Sequence, residues 1–303
     1  MRMLLSVLAA VALSSTTSPA AAQGRRPPAF VVVRPDTMIT WSRERQPRPI
    51  RYRVGEVTLE VSAVEDDGLW TPRIALRWGG ATAVMNGAAA QPAFEHKFGV
   101  GTLDRGGTRF VYLQSFTGGA HCCNDLQVAV IRPGEIRIVQ LGTFDGGPSD
   151  EFPRDLDGDG NVDFVEQDDS FLYTFSSYAG SMAPPKILNI VGGLVTDVST
   201  RPGFRRLFRE AMNRARANCV QREVERNGAC AGYVASASRI GQFDAAWRAM
   251  LRNYDRNSGW ELPTGCRVPL NRDGGCPTAS VITYTNYPDA LRAFLVQQGY
   301  IPR

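Results

Sequence analysis

Five carboxylates are spaced through the twelve residues 155–166. Asp155, Asp157 and Asp159 take positions 1, 3 and 5, Gly160 takes position 6, and Glu166 takes position 12. This spacing matches the pattern D-x-D-x-D-G-x5-E at every position. Carboxylates so close together would repel one another strongly without a cation, and Ca²⁺ takes about 6–8 oxygen ligands. The spacing therefore predicts a calcium site.

The remaining positions of this loop also suit calcium. Asn161 can offer its backbone carbonyl at position 7, Asp163 stands at position 9, and Glu166 can close the shell with both carboxylate oxygens. Gly160 allows the positive φ that the turn needs. The competing interpretation is a solvated acidic turn, since Asp and Gly are common turn residues.

The flanks of the loop differ from those of a helix–loop–helix site. Gly146, Gly147 and Pro148 precede it and break helices, while Phe171, Tyr173 and Phe175 alternate with other residues as in a strand. The loop is therefore predicted to join two strands. In this setting it resembles the calcium loops of FG-GAP and VCBS-type repeats, which share D-x-D-x-D-G-x-x-D between strands. The resemblance covers only this loop and its flanks, and it implies a β-rich calcium-binding unit that contacts a protein or an envelope glycan.

A second, degenerate copy of the same unit is predicted upstream. Leu103 and Asp104, followed by a strand from Phe110, resemble Leu156 and Asp157, followed by a strand from Phe164. The upstream copy lacks the other carboxylates of the loop. About 150 residues cannot form a seven-bladed propeller at roughly 40–50 residues per blade, so a sandwich or a partial propeller-like sheet fits better.

The segment Gly118-Gly119-Ala120-His121-Cys122-Cys123 offers a second kind of chemistry. It resembles a signature of exported bacterial proteins of uncharacterised role, in which it follows a calcium-type loop; here the preceding loop is the degenerate copy. Three interpretations compete: a vicinal disulfide or tight turn, a transition-metal site using His121, and a Cys–His nucleophile pair. We favour the structural one, because an oxidising compartment disfavours free thiols and zinc needs about four ligands.

The first 22 residues are typical of a secretory signal. Arg2 supplies a positive charge, residues 4–13 form an apolar run, and three alanines at 20–22 precede the expected cleavage point. The run is shorter than the roughly 20 apolar residues of a membrane span, and no other segment is long enough. We predict a periplasmic or extracellular protein, with an uncleaved anchor as the alternative. Six cysteines in such a chain suggest disulfides, with local pairing of Cys219 to Cys230 and of Cys266 to Cys276.

Hydrophobic periodicity divides the rest of the chain. Residues 23–49 are predicted to be a flexible leader, residues 50–200 a β domain with the two repeat units and the calcium loop, and residues 201–303 a helical domain. Phe204 to Cys219, Phe243 to Tyr254 and a segment from Pro288 have helical periods. The predicted class is α+β, with a small disulfide-stapled helical domain after a β-rich region.

Charge is distributed unevenly along the chain, whose formal net charge is +4. Residues 145–169 contain ten acidic residues and one arginine, whereas residues 201–256 contain twelve arginines and five acidic residues. The acidic cluster favours a cation. The arginines are spread over several helices with few aromatic residues between them, which favours a solvated face over nucleic-acid binding.

The function predicted from the sequence is therefore that of an exported calcium-binding protein in which the ion is mainly structural. The alternative is a hydrolase that uses His121 with Cys122 or Cys123, or acidic residues near the calcium loop. The sequence contains no G-x-S-x-G, H-E-x-x-H, P-loop or dinucleotide-binding motif. We leave the question of an enzyme open and lean towards a binding or envelope-associated role.

Overall fold

The computed structural model describes residues 29–119, 122–221, 225–269, 271 and 274–302. The predicted signal peptide lies outside these residues. Fifteen described strands are β1 (Val31–Val32), β2 (Ile39–Trp41), β3 (Ile50–Val54), β4 (Val57–Asp66), β5 (Leu69–Trp78), β6 (Ala81–Asn86), β7 (His96–Thr102), β8 (Arg109–Phe116), β9 (Cys122–Arg132), β10 (Glu135–Asp145), β11 (Phe164–Gln167), β12 (Pro185–Val191), β13 (Leu194–Asp197), β14 (Gly265–Cys266) and β15 (Val281–Ile282). The described α-helices are α1 (Arg205–Gln221), α2 (Arg226–Arg239), α3 (Phe243–Asn253) and α4 (Tyr287–Gln297).

Two five-stranded sheets form a sandwich in the first half of the chain. Their strand orders are β1-β3-β4-β5-β6 and β10-β9-β8-β7-β2, and neighbouring strands are antiparallel except for β1 and β3. Side chains such as Leu59 and Ile74 from the first sheet and Phe98 and Leu113 from the second share one buried cluster. Alternating apolar residues on β4 supply one side of this core, as expected for a strand with one buried face.

The second sheet is buried on both faces. Its outer face contributes Phe110, Leu126 and Val128 to another cluster, which also contains Phe164 and Leu188 from a third sheet of order β11-β12-β13. Covering both faces explains why β8 and β9 are almost continuously buried and do not alternate. The third sheet therefore forms a third layer.

The helices pack on the far side of this third layer. Phe171, Phe175 and Ile187 from the β region share a buried cluster with the helical side chains. Edge-to-face contacts of Phe171 and Phe175 with Phe294 join the two regions, with ring centroids 4.9 and 5.3 Å apart. The predicted α+β class, with a β-rich region before a helical one, is confirmed. The helical region shares its core with the preceding residues.

Some local predictions were wrong. The leader predicted over residues 23–49 contains β1 and β2, and Trp41 is buried in the sandwich. Alternation around Phe171 and Phe175 does not produce a strand: a 3-10 helix spans Asp169–Phe171, and Tyr173 has a φ of 58°. Within the described residues, none of the helices has both the length and the apolar character required to cross a membrane.

The predicted disulfides are present: Cys219 is joined to Cys230 and Cys266 to Cys276. The first bridge links the end of α1 to α2 inside the core, where both cysteines are fully buried. The second closes a loop-rich segment before α4. The helical region is therefore stapled as predicted.

Candidate metal centre

The acidic loop joins β10 to β11 and is closed at its base by backbone pairing. Arg154 pairs with Asp163, and Asn161 pairs with Asp104 of the upstream segment. The Val162 amide also donates to the Leu103 carbonyl at 2.9 Å. The loop is thus a seven-residue excursion, residues 155–161, between strand-like anchors. This confirms that it connects strands.

The predicted repeat units are joined by the pairing of Asp104 with Asn161, and each contains two consecutive antiparallel strands. In the upstream unit β8 pairs with β9, and the Thr117 amide donates to the Cys123 carbonyl at 3.0 Å. In the downstream unit β11 pairs with β12, and the Asp168 amide donates to the Pro184 carbonyl at 2.9 Å. Two copies of one unit would have this geometry. The repeat itself and its likeness to FG-GAP and VCBS units stay predictions.

The side chains of Asp155, Asp157 and Asp159 converge. One carboxylate oxygen from each lies within 4.8 Å of one from each of the others. Asp155 accepts backbone hydrogen bonds from Gly158 at 2.7 Å and from Gly160 at 2.8 Å, which hold its carboxylate inside the loop. The loop backbone is thus already folded around these carboxylates.

Asn161 and Arg201 act on one of these carboxylates. The Asn161 backbone amide donates to Asp159 Oδ1 at 2.7 Å and its side-chain amide does so at 3.1 Å. Arg201 forms an ion pair with the other oxygen, Oδ2. Burial raises the pKa of Asp159, but the Asn161 hydrogen bonds and the Arg201 charge outweigh it and leave that pKa below its ordinary value. Asp159 is therefore held ionised, as a metal ligand must be.

Gly160 allows the loop to turn beneath a side chain from the upstream unit. Its φ of +88° is in the left-handed region, and a Cβ there would lie 2.1 Å from Arg105 Nε. Arg105 Nη2 donates to the Gly158 carbonyl at 2.6 Å. An arginine of the degenerate copy therefore braces the outside of the intact loop.

Asp163 supports the base of the loop. Its carboxylate is almost fully buried and accepts hydrogen bonds from the Leu156 amide and from Asn189 Nδ2, each at 2.7 Å. Burial raises the pKa of Asp163 despite these bonds. Among the described residues, the cluster of converging acids does not extend to Asp163. Asp163 thus positions the loop through hydrogen bonds at its base.

The structure does not bring Glu166 into the converging cluster either. Glu166 lies on β11 opposite Lys186, where burial and the nearby Asp169 carboxylate raise its pKa to about 7. An extended strand rises roughly 3.3 Å per residue, so three residues of β11 carry Glu166 about 10 Å beyond Asp163. A helix after the loop would advance only about 1.5 Å per residue. Because a strand follows the loop, Glu166 at position 12 lies away from the loop aspartates.

Two residues that the sequence analysis did not identify complete the centre. Arg201 Nη1 contacts Asp159 Oδ2, lies 3.0 Å from Asn189 Oδ1, and lies 3.8 Å from Asp157 Oδ2. Asn189 is fully buried in β12, and a polar residue inside the apolar run of that strand is the sequence signal that could have found it. Arg201 has no comparable signal, because arginines are frequent throughout the following residues.

The donor set of this centre suits a hard cation. Its donors are oxygens, from Asp155, Asp157, Asp159 and Asn189, as Ca²⁺ prefers. The Asp157 side chain is only 7% exposed. Among the described residues, Asp157 Oδ1 accepts the Asp159 amide at 3.1 Å, while Oδ2 accepts no hydrogen bond and faces the Arg201 charge. This carboxylate oxygen therefore has lone pairs left for a cation.

Close packing fixes the position of the loop against the start of the helical region. A Cβ at Gly203 would lie 2.3 Å from Asp157 Cβ and 3.0 Å from its Cα. Neither atom belongs to a flexible chain end. We therefore expect Gly203→Ala to displace the loop and to lower the free energy of unfolding by about 2 kcal/mol, measured by urea denaturation. Gly147→Ala is the matched control, since a Cβ there meets no atom within 4 Å; equal losses in both variants would contradict this packing.

The second sequence feature, around Cys122, has no free thiol in the structure. Cys122 and Cys123 are joined to each other, and Thr117 Oγ1 donates to the Cys122 carbonyl at 3.2 Å and accepts from the Cys123 amide at 2.9 Å. His121 lies outside the described residues. The vicinal disulfide interpretation is supported.

The described acids near the loop border a small cavity. Glu166 and Asp163 border a cavity of about 90 Å³, also lined by Tyr112 and Phe152. Small-molecule sites usually measure about 300–1,000 Å³. Tyr178 donates to Asp145 Oδ2 at 2.5 Å, and the Asp145 amide donates to Asp169, so these groups are largely engaged with one another.

Comparison with known proteins finds similarity in the helical region and beyond it. A family model described as the sll0997 C-terminal domain matches residues 208–299. The chain is 42% identical over 196 residues to the "Probable thylakoid lumen protein sll0997" of Synechocystis sp., covering 63% of this chain and 56% of that protein. It is 31% identical over 269 residues to the "Uncharacterized protein y4bJ" of Sinorhizobium fredii, covering 86% of this chain and 42% of that protein. The chain thus spans about half the length of these relatives. No solved structure matches it.

Proposed function

We propose that this chain is an exported calcium-binding protein in which the ion has a mainly structural role. Asp155, Asp157 and Asp159 would hold the ion, with oxygens of Asn161 and Asn189 beside them. The ion would neutralise the carboxylates and fasten the loop. The role of the whole protein is then binding or attachment in its compartment and not catalysis.

One observation carries this proposal: the carboxylates of Asp155, Asp157 and Asp159 have oxygens within 4.8 Å of one another, and the Asp157 side chain is buried. In the part of the chain that the structure describes, Arg201 is the arginine ion-paired with these aspartates, and it supplies one positive charge against three negative ones. A divalent ion in the place of this arginine would neutralise more of that charge. Calcium fits better than magnesium, because magnesium prefers regular octahedral geometry and gives up its water reluctantly.

The position of the loop supports a structural role. Its base pairs with Asp104 of the upstream unit, and Gly203 at the start of the helical region packs against Asp157. An ion in the loop would therefore stabilise the junction between the third sheet and the helices. Such an ion acts by binding the folded state and not the unfolded state.

The comparisons and the disulfides support an exported location. One similar protein has a name that places it in the thylakoid lumen. Three disulfides in the described residues suit an oxidising compartment of this kind. Extracellular calcium modules bind with Kd of about 10⁻⁴–10⁻³ M, which suits a permanently occupied structural site. A protein or an envelope glycan is the kind of partner that we propose.

Thermal unfolding with and without calcium tests the proposal. At about 10 mM Ca²⁺ and the Kd range above, binding should add about 1.4–2.7 kcal/mol to the free energy of unfolding, relative to protein in a chelator. The melting temperature should then rise by a few degrees. Mg²⁺ at the same concentration should have a smaller effect.

Two variants make this test specific. Asp157→Asn should abolish the calcium-dependent shift, because it removes the most buried carboxylate of the centre. Asp66→Asn removes the same charge from an exposed position on β4 and should retain the shift. If the wild-type protein shows no shift, or if Asp157→Asn shifts as much as the wild type, the proposed function is wrong.

A further inference from the structure

Arg201 places one nitrogen among the oxygens that a metal ion would use. Its Nη1 atom contacts Asp159 Oδ2 and lies 3.0 Å from Asn189 Oδ1 and 3.8 Å from Asp157 Oδ2. The three oxygens come from two loop aspartates and from a buried strand. The Arg201 guanidinium therefore occupies the position that a metal ion ligated by these oxygens would take.

Asn189 fixes the direction of one of these oxygens. Its Nδ2 donates to the Val162 carbonyl at 2.9 Å and to Asp163 Oδ1 at 2.7 Å, and the residue is fully buried. Those two bonds determine which end of the amide faces the base of the loop. Oδ1 is therefore left facing Arg201 and the two aspartates. Asn189 therefore presents its acceptor oxygen, Oδ1, to a cation at this position.

The backbone of Arg201 is fixed while its side chain has access to solvent. The Arg201 amide donates to the Val198 carbonyl at 3.0 Å, and the Phe204 amide donates to the Arg201 carbonyl at 3.2 Å. The side chain is 35% exposed. The guanidinium group can therefore leave the aspartates by side-chain rotation, with no change in the backbone.

The arginine and a calcium ion cannot use the same oxygens at the same time. Calcium binds oxygens at about 2.3–2.6 Å, and Arg201 Nη1 already lies within contact distance of Asp159 Oδ2. Two cations this close would also repel each other in a partly buried setting. Either the guanidinium or the ion therefore neutralises Asp157 and Asp159.

We propose that Arg201 is a tethered cation that competes with calcium for Asp157 and Asp159, and that calcium binds by displacing it. This inference rests on the proposed function. Arg201 stabilises the loop when the ion is absent and weakens calcium binding, because part of the binding energy is used to break its ion pairs. Calcium affinity in this protein is therefore set by an internal competitor as well as by the ligands.

Calorimetric calcium titration of the mature chain tests the inference. Arg201→Gln should bind Ca²⁺ about tenfold more tightly than the wild type, which corresponds to about 1.4 kcal/mol. In chelator, the same variant should have a lower melting temperature than the wild type. The reason is that Asp157 and Asp159 lose the arginine that pairs with them in the described residues. Arg201→Lys keeps the charge and should bind calcium more weakly than Arg201→Gln.

The matched control is Arg206→Gln. Arg206 lies five residues further along the chain, its side chain is 90% exposed, and it pairs with Glu210 and not with the loop. This variant should bind calcium as the wild type does. If Arg201→Gln binds calcium as the wild type does or more weakly, the competition is overturned while the calcium site stands. If neither the wild type nor Arg201→Gln binds calcium, the proposed function itself fails.

Discussion

Replacing both Cys219 and Cys230 by alanine should lower the free energy of unfolding by about 3 kcal/mol. The bridge connects residues 11 apart in sequence, and closing a loop of that size restricts the unfolded chain by about 3 kcal/mol. Both cysteines are fully buried between α1 and α2, so the native state also loses packing when the sulfur atoms are removed. Urea denaturation followed by circular dichroism measures the loss.

The second bridge of the helical region provides a control for this prediction. Cys266 and Cys276 are 10 residues apart, so the loop-closure term is similar, but these cysteines are only partly buried and lie in a loop-rich segment. Such a segment can open locally without unfolding the core. We expect the alanine pair at 266 and 276 to have the smaller effect on global unfolding. Equal losses would show that the two bridges belong to one cooperative unit.

Periodic segments of the chain were the ones that the sequence predicted best. α1, α3 and α4 each bury one stripe of side chains, such as Phe208 and Met212 on α1, and this produces a clear helical period. The strand from Phe110 was also predicted, although it is buried on both faces. An apolar run bounded by glycine was sufficient there.

α2 shows why part of the fold could not be predicted. Most of its residues are buried, because α1, α3, α4 and the segment around Met182 surround it. Small side chains make this possible: a Cβ at Gly232 would lie 1.8 Å from the Met182 carbonyl oxygen. A helix buried on all sides has no polar face and so no helical period. The position of α2 therefore depends on its tertiary contacts, which no local sequence pattern shows.

The candidate site also has a part that the sequence predicted and a part that it did not. The spacing of Asp155, Asp157 and Asp159 predicted their convergence, because the turn itself brings them together. Arg201 and Asn189 reach the loop from residues that are distant in sequence, through the pairing of β11 with β12 and the turn before α1. No local pattern predicts contacts of this kind. Glu166 was placed by its position in the twelve-residue spacing pattern, and the strand that follows the loop gives it another position.

Acid should destabilise the protein through His96 by up to about 3 kcal/mol. His96 is only 3% exposed, lies beside Trp41 in the sandwich, and has Nδ1 2.9 Å from Ser115 Oγ. Burial lowers its pKa from 6.5 to about 4. Between these values the unfolded chain binds a proton that the folded chain does not, so stability is present above pH 6.5 and falls as the pH decreases to about 4. A pKa that differs by one between the folded and the unfolded chain corresponds to about 1.36 kcal/mol.

His96→Asn separates this effect from the titration of the carboxylates. Asparagine has an amide group near the position of Nδ1 that can still bond Ser115, but it does not titrate. The loss of stability between pH 7 and pH 4, measured by urea denaturation, should therefore be about 3 kcal/mol smaller in the variant than in the wild type. Equal losses would refute the prediction, as would a His96 imidazole that nuclear magnetic resonance finds protonated at pH 6 in the folded protein. Since the carboxylates of the calcium loop are common to both chains, their protonation cancels in the comparison, and what remains is the cost of charging one histidine inside the sandwich.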